Sequence, residues 1–316
     1  MMANVDLSVI IPSKNNKHKT ADIIRRISEV TKGLDVEFIV IDMNSTDNSV
    51  LSALNEIKKH KLRGCVIQSG GSTVSSALNT GIYKSDGKYI TFVYPSKLYK
   101  NYIPQYYKTI EENNADFVFA VPSGDKEKSE IVKKGLDNIS GVDLLIGLIR
   151  SLVNIDFSAV MLNREYLLGN HIKFYEDCSY GYAEAFIYNV LLCGPKISYV
   201  DIPLRRDLAN SMPKDNITGN SACLNRIDAM LKVYETLTLC HREETKLTAL
   251  FEYDKLPSVV MSVVDMLLNE NFSYSAIKNS LRLKHYDELL KISKITPSKL
   301  RNKILKWKIT PWFYQP

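Results

Sequence analysis

Short apolar runs alternate with amphipathic segments over the first hundred residues. Each run is followed by polar or turn-forming residues, as expected of buried parallel strands. Between the runs, apolar residues recur at helical spacing, and Thr20 and Gly33 are the expected ends of the first helix. This alternation predicts a doubly wound, mostly parallel α/β sheet. The predicted strands are residues 7–11, 36–42, 65–67 and 89–94, and the predicted helices carry Ile23 to Val30, Val50 to Ile57 and Val74 to Ile82.

The ligand crevice of such a sheet lies beyond the carboxyl ends of its strands. Those ends fall at residues 12–15, 42–44, 68–71 and 94–97. Several of them are polar, and Gly70-Gly71 precedes a helix whose N-terminus could cradle a phosphate. The glycine pair also has a simpler explanation as a tight turn. The pattern therefore predicts a polar crevice at one edge of the sheet.

Five segments in sequence order resemble the family-2 glycosyltransferases of the GT-A fold. They are residues 8–15, 40–49, 77–93, 162–174 and 202–211. The resemblance implies a GT-A sheet domain that transfers a sugar, with inversion, from a nucleotide donor, which we expect to be a uridine diphosphate sugar. The implied acceptor is a cell-surface glycan or a lipid-linked molecule. The implied donor-binding residues are Pro12, Ser13, Lys14, Asn15, Asp42, Asn44, Gly70, Gly71, Asn79, Tyr94 and Ser96.

The metal motif of this family is missing from its usual place. After the fourth strand the family carries Asp-x-Asp, whereas this chain reads Tyr94-Pro95-Ser96, and Mg²⁺ or Mn²⁺ prefers carboxylate ligands. The leaving diphosphate still needs a positive charge beside it. We therefore expect no metal cofactor, although Mn²⁺ and Mg²⁺ stay open, and we predict that Lys97, Arg205 and Arg206 bind the diphosphate directly.

The general base is also displaced from its usual place. The family's acidic pair falls, by gapless register, on Tyr182-Ala183, so the candidate bases are the neighbouring acids Glu184, Glu176 and Asp177. Glu184 could equally be an exposed residue on an amphipathic helix. The joint loss of metal ligands and base leaves a second hypothesis open, in which the chain is a non-catalytic glycosyltransferase homologue that serves as a subunit or scaffold.

The remainder of the chain has a different pattern. From residue 216 onward, apolar residues recur only at helical spacing, and the predicted helices include Pro257 to Leu267, Ser275 to Leu283 and Asp287 to Ser293. This pattern predicts a helical bundle or appendage over residues 216–296, after a GT-A-like domain over residues 1–215. The bundle could support homo- or hetero-oligomers.

Residues 297–316 form a basic, aromatic tail. They hold five cations and no acid, which is most of the net charge of +6 of this 316-residue chain. Such a tail suits an anionic membrane surface, although its aromatics could instead pack on the bundle. The candidate membrane residues are Lys303, Lys306, Trp307, Lys308 and Trp312. A membrane-binding module without sugar chemistry is a third hypothesis.

Composition excludes several other classes. A hydrophobic fraction of 45% and a charged fraction of 24% are globular values. The five cysteines are odd in number and lack Cys-x-x-Cys spacing, which argues against a disulfide framework or a zinc site. With no signal peptide or long apolar run visible, we expect a cytoplasmic protein that can associate peripherally with the inner face of the membrane. We expect no nucleic-acid partner, because the rest of the chain is nearly neutral.

Overall fold

A single seven-stranded sheet forms the centre of the protein. The computed structural model describes residues 5–70, 73–94, 102–121, 135–156, 158–202 and 220–316. The strands are β1 (Leu7–Ser13), β2 (Val36–Asp42), β3 (Arg63–Gln68), β4 (Tyr89–Phe92), β5 (Phe117–Ala120), β6 (Val160–Asn163) and β7 (Ile197–Val200). Their order is β3-β2-β1-β4-β6-β5-β7, and β6 alone runs antiparallel to its neighbours.

The strands β1, β2 and β4 are fully buried, in agreement with their largely apolar character, and they bury the polar side chains of Ser8, Glu37 and Thr91 with them. The strand β3 at the sheet edge is mostly exposed and is longer than the apolar run that predicts it. Parallel pairing places Ser13 beside Asp42 and Asp42 beside Gln68. The carboxyl ends of the first three strands therefore meet at one edge of the sheet, as the sequence predicts.

The helices that follow these strands cover both faces of the sheet. They are α1 (Lys17–Val30), α2 (Ser49–Lys59), α3 (Val74–Lys84), α4 (Tyr102–Asn113), α5 (Gly141–Ile149), α6 (Arg164–Gly169) and α7 (Tyr182–Leu192). The helix α1 begins before the predicted cap, because Thr20 is buried inside its first turn and bonds Ser13. Gly33 has a φ of 95°, as its predicted role after the helix requires.

The helix α3 lies unusually close to the sheet. A Cβ built on Gly81 would come within 2.4 Å of Ile10 Cγ2 on β1, so glycine permits this close approach. The contact fixes the distance between the helix and the carboxyl-end crevice. It therefore determines how far the polar face of α3 stands from the ends of β1 and β2.

The C-terminal helices pack on the sheet domain through one continuous hydrophobic cluster. They are α8 (Asn220–Cys240), α9 (Thr245–Leu250), α10 (Leu256–Asn269), α11 (Tyr274–Leu283) and α12 (Ser298–Ile309). A π-helical turn, Phe251–Lys255, joins α9 to α10 without a break. The prediction of a helix over residues 287–293 is wrong, since this stretch holds only the end of a 3₁₀ turn, Tyr286–Leu289. No helix among the described residues is long and apolar enough to cross a membrane.

The tail forms α12 and a short 3₁₀ turn instead of an extended basic segment. Trp307 was predicted to face a membrane, and this is wrong, because it is only 2% exposed and packs between Tyr274 and Tyr314. Lys303 pairs with Asp265 at 2.7 Å. The other predicted membrane residues, Lys306, Lys308 and Trp312, are exposed.

Candidate functional site

The floor of the crevice is made by the last residues of β1 and β2. Pro12 and Ser13 are buried, and the Ser13 and Thr20 hydroxyls are 2.8 Å apart. The Met43 amide donates to the Ser13 carbonyl at 2.8 Å. These contacts hold the two strand ends together and leave their loops to form the rim.

The loops after β1 and β2 are locked to each other. Asn15 and Asn44 both adopt left-handed backbone conformations, with φ of 51° and 60°. The Asn15 side-chain oxygen accepts from the Thr46 amide at 2.8 Å, while the Asn15 amide donates to Ser45 Oγ at 2.9 Å. Asparagine is among the few residues that tolerate this backbone, so the predicted donor-site asparagines first of all shape the rim. Lys14 and Asn44 are exposed at this rim.

Asp42 is the most buried charged side chain of the crevice. It is 1% exposed, and its Oδ2 accepts from the Ser45 amide at 3.1 Å. Its other oxygen, Oδ1, is buried and has no hydrogen-bond partner among the described residues. A buried, unsatisfied acceptor is costly and is uncommon in folded proteins. Asp42 therefore presents an acceptor that suits a ligand N–H or O–H group.

The end of β4 does not fit a divalent metal. The described residues there are Phe92, Val93 and Tyr94, none of which is a carboxylate. Burial, followed by the neighbouring Tyr182, raises the pKa of Tyr94 well above its ordinary value, so this phenol stays protonated. Within the described ranges, no group of three His, Cys, Asp or Glu side chains could hold a metal ion.

The polar face of α3 holds the segment 174–178 beside the crevice. Asn79 accepts from the Phe174 amide at 2.8 Å and donates to the Phe174 carbonyl at 3.0 Å. Thr73 Oγ1 donates to the Glu176 carbonyl at 3.0 Å, and Ser75 Oγ donates to the Cys178 carbonyl at 3.2 Å. In the described structure, the role of Asn79 is therefore to position the segment 174–178.

Two of the predicted bases lie on that segment. The Glu176 carboxylate accepts from Asn79 Nδ2 at 2.9 Å. Asp177 pairs with Lys232 Nζ at 2.5 Å, and this hydrogen bond is the main reason why the pKa of Asp177 lies below its ordinary value. The Glu176 carboxylate is therefore held against α3, whereas the Asp177 carboxylate is held against α8.

The third candidate, Glu184, lies in a buried charge cluster at the start of α7. Its carboxylate pairs with Lys255 Nζ at 2.5 Å and with Arg226 Nη2 at 3.5 Å. Tyr188 also donates to it, at 3.4 Å. Burial raises the pKa of Glu184, but Lys255 and Arg226 lower it by more, so the net pKa is below the ordinary value. Glu184 is consequently an ionised residue whose side chain is 16% exposed, and the interpretation that it is exposed is wrong.

Sequence patterns did not single out the cations of this region. Lys255 is separated from Glu184 by 71 residues, and Arg226 and Lys232 lie on α8. Lys255 directly follows Asp254 and lies three residues after Glu252, so the local sequence does not point to Glu184 as its partner. Gly70 is exposed, with nothing within 4 Å of a built Cβ. Five predicted site residues lie outside the described residues: Gly71, Ser96, Lys97, Arg205 and Arg206.

Comparison with solved structures identifies the class of fold. TarS of S. aureus matches with a TM-score of 0.60 at 14% identity, over 96% of this chain and 87% of that chain. A structure of TarS in complex with UDP-GlcNAc matches with a TM-score of 0.61 at 15% identity, over the same shares of the two chains. Together with the strand order and the crevice at the strand ends, these matches show the GT-A glycosyltransferase fold.

The sequence comparisons give the family. The model of glycosyl transferase family 2 matches residues 8–167, which is half of the chain, and the protein belongs to this family. A curated relative, the poly(ribitol-phosphate) beta-N-acetylglucosaminyltransferase TarP of Staphylococcus aureus (strain N315), is 30% identical over 141 residues. That alignment spans 40% of this chain and 42% of the relative, so the chain matches less than half of the relative's length.

Proposed function

We propose that this protein transfers a sugar from a uridine diphosphate donor to a hydroxyl of a glycan or lipid-linked acceptor. N-acetylglucosamine is the first sugar to test, because the curated relative carries that activity in its name. The observation that carries the proposal is the unpartnered Asp42 Oδ1 at the carboxyl end of β2, within a chain of family 2. The imide N–H of uracil would supply the missing donor.

The chemical step follows from the groups around the crevice. A carboxylate on the acceptor side takes the proton of the acceptor hydroxyl while that oxygen attacks the anomeric carbon and the diphosphate leaves. Glu176 suits this task, because Asn79 of α3 holds its carboxylate beside the crevice. Asp177 is the second candidate base, and its carboxylate is positioned by Lys232 of α8. The charge on the leaving diphosphate would be neutralised by Lys97, Arg205 and Arg206, in place of a metal.

A second candidate function is that of a non-catalytic subunit or scaffold of a glycosyltransferase complex. It is favoured by Glu184, because this carboxylate is already committed to Lys255 and Arg226. On this hypothesis the chain keeps the fold of family 2 and lacks turnover.

The test is calorimetric titration of the full chain with UDP-GlcNAc and with UDP, each with Mn²⁺ and with a chelator. Equal affinity in both conditions supports the metal-free model, whereas binding that requires Mn²⁺ refutes it. Absence of binding to either nucleotide refutes the donor site. The variant Asp42→Asn should weaken binding at least about tenfold, as expected when a buried charged acceptor is lost. Asp86→Asn is the matched control, because this exposed carboxylate precedes β4 at the opposite edge of the sheet.

Donor turnover separates the two candidate functions. A transferase should hydrolyse or transfer the sugar of UDP-GlcNAc slowly even without its natural acceptor, and this activity should be lost in Glu176→Gln or Asp177→Asn. Tight donor binding with no turnover, in the presence of crude cell-wall and lipid acceptors, supports the scaffold.

A further inference from the structure

The outward face of α12 presents two apolar side chains beside the exposed Asn302. At about 100° per residue, Leu305 and Ile309 lie opposite the core-facing side of the helix. They are 41% and 68% exposed, whereas Ile304 and Trp307 on the other side are buried. The chain therefore presents apolar side chains to solvent at its C-terminal end, where an ordinary surface helix would be polar.

The turn that follows α12 adds two aromatic rings to this face. Pro311 and Tyr314 are buried, and the Tyr314 hydroxyl donates to Asp265. These anchors fix the 3₁₀ turn between them, so Trp312 and Phe313 are held in solvent at 63% and 74% exposure. We define the C-terminal face as Leu305, Ile309, Trp312 and Phe313.

Positive charge borders this face on both sides. Lys306 and Lys308 flank the apolar stripe of α12. On the Lys308 side lies a cavity of about 180 Å³, which Lys278, Arg282 and Lys308 line together with the single acid Asp287. Lys308 Nζ donates to a backbone carbonyl at 2.8 Å and forms no ion pair in the described structure. The borders of the C-terminal face thus suit an anionic partner.

We propose that the C-terminal face docks on an anionic lipid membrane. Its apolar residues would enter the boundary between headgroups and acyl chains, while Lys306, Lys308 and the cavity cations contact lipid phosphates. The positive charge around the C-terminal face argues against a second copy of this chain as its partner. Lys306 and Lys308 are exposed on the two borders of this face, so a symmetric contact through it would bring like charges together.

The test is sedimentation of the full chain with vesicles. We expect binding to vesicles of equal parts phosphatidylglycerol and phosphatidylcholine, and much weaker binding to phosphatidylcholine alone. The double variant Trp312→Ser/Phe313→Ser should reduce partitioning at least about tenfold, and Lys306→Gln about fivefold. Both changes are at exposed positions, so thermal unfolding should be unchanged. Leu51→Ser, at an exposed leucine on α2, is the matched control and should bind as the parent does.

Three results would overturn the proposal. The first is equal sedimentation of the double variant and the parent chain. The second is equal binding to neutral and anionic vesicles. The third is light scattering, without vesicles, that shows an oligomer of the parent and a monomer of the double variant, because this result assigns the face to a second copy.

Discussion

Replacing Lys255 with methionine removes one charge from the buried cluster around Glu184. Lys255 Nζ lies 2.5 Å from Glu184 Oε1, and the two side chains are 11% and 16% exposed. Methionine keeps the apolar stem and leaves Glu184, among the described residues, with Arg226 at 3.5 Å as its charged partner. The variant therefore measures how much the ion pair between α7 and the π turn before α10 contributes to the free energy of unfolding.

We expect a large loss in the free energy of unfolding, because the Lys255–Glu184 pair is largely shielded from solvent. Removing one partner of a buried ion pair typically costs 3–5 kcal/mol, and Arg226 remains, so we expect about 3 kcal/mol. The cost depends on pH in a defined direction. The folded pKa of Glu184 lies below the ordinary value of 4.5, so the ion pair stabilises the fold above that value and the stabilisation is lost as the pH falls through the folded pKa.

The assay is urea unfolding of the parent, Lys255→Met, Glu184→Gln and the double variant. We expect the two single variants to be destabilised and the double variant to be less destabilised than their sum, because Lys255 and Glu184 are then removed together and Arg226 is the one member of the cluster that loses its carboxylate. Glu112→Gln is the control, since the exposed Lys108–Glu112 pair should contribute less than about 0.5 kcal/mol. A loss below about 0.5 kcal/mol for Lys255→Met would refute the argument.

The same variants separate structure from catalysis at Glu184. If Glu184 is the general base, Glu184→Gln abolishes turnover and spares donor binding, whereas Lys255→Met keeps the carboxylate and some activity. If Glu184 only stabilises the fold, both variants lose activity in proportion to their loss of folded protein. The measurement is turnover per folded molecule at a temperature well below unfolding. Loss in Glu184→Gln alone indicates the general base, and unchanged values in both variants indicate a role in stability.

Three further outcomes follow from the contacts. Asn79→Ala should destabilise the protein by about 1–3 kcal/mol and weaken donor binding, because Phe174 loses its clamp, whereas the exposed Asn170→Ala should do neither. Gly81→Ala should lower the free energy of unfolding in urea by about 1–3 kcal/mol, because the added methyl group overpacks against β1. Unchanged stability would show that α3 can shift. Gly169→Ala is the control, because there is open space at its Cβ. In acid titration followed by circular dichroism, the stability gap between the parent and Lys255→Met should narrow as Glu184 protonates, and a constant gap would contradict the assigned pKa direction.

The alternation of apolar and polar residues by itself predicted four of the seven strands of the described sheet, β1 to β4. The strands β1, β2 and β4 are local apolar runs, and their parallel order follows from the helices between them, so the crevice at Ser13 and Asp42 was predictable. The family resemblance also came from these local segments. Asparagines at the strand ends were visible as polar residues, although their left-handed backbone was not.

The tertiary structure alone decided what the charged residues do. Glu184 meets Lys255 across 71 residues, and no spacing rule connects positions so far apart. The orientation of the tail's aromatic rings is likewise not predictable from local sequence, because a pattern of cations and aromatics does not show which rings face the core. Packing buried Trp307 and left Trp312 exposed, since the helix period and the anchor at Tyr314 fixed their directions. Side-chain partners depend on which distant elements pack together, and local sequence does not contain that information.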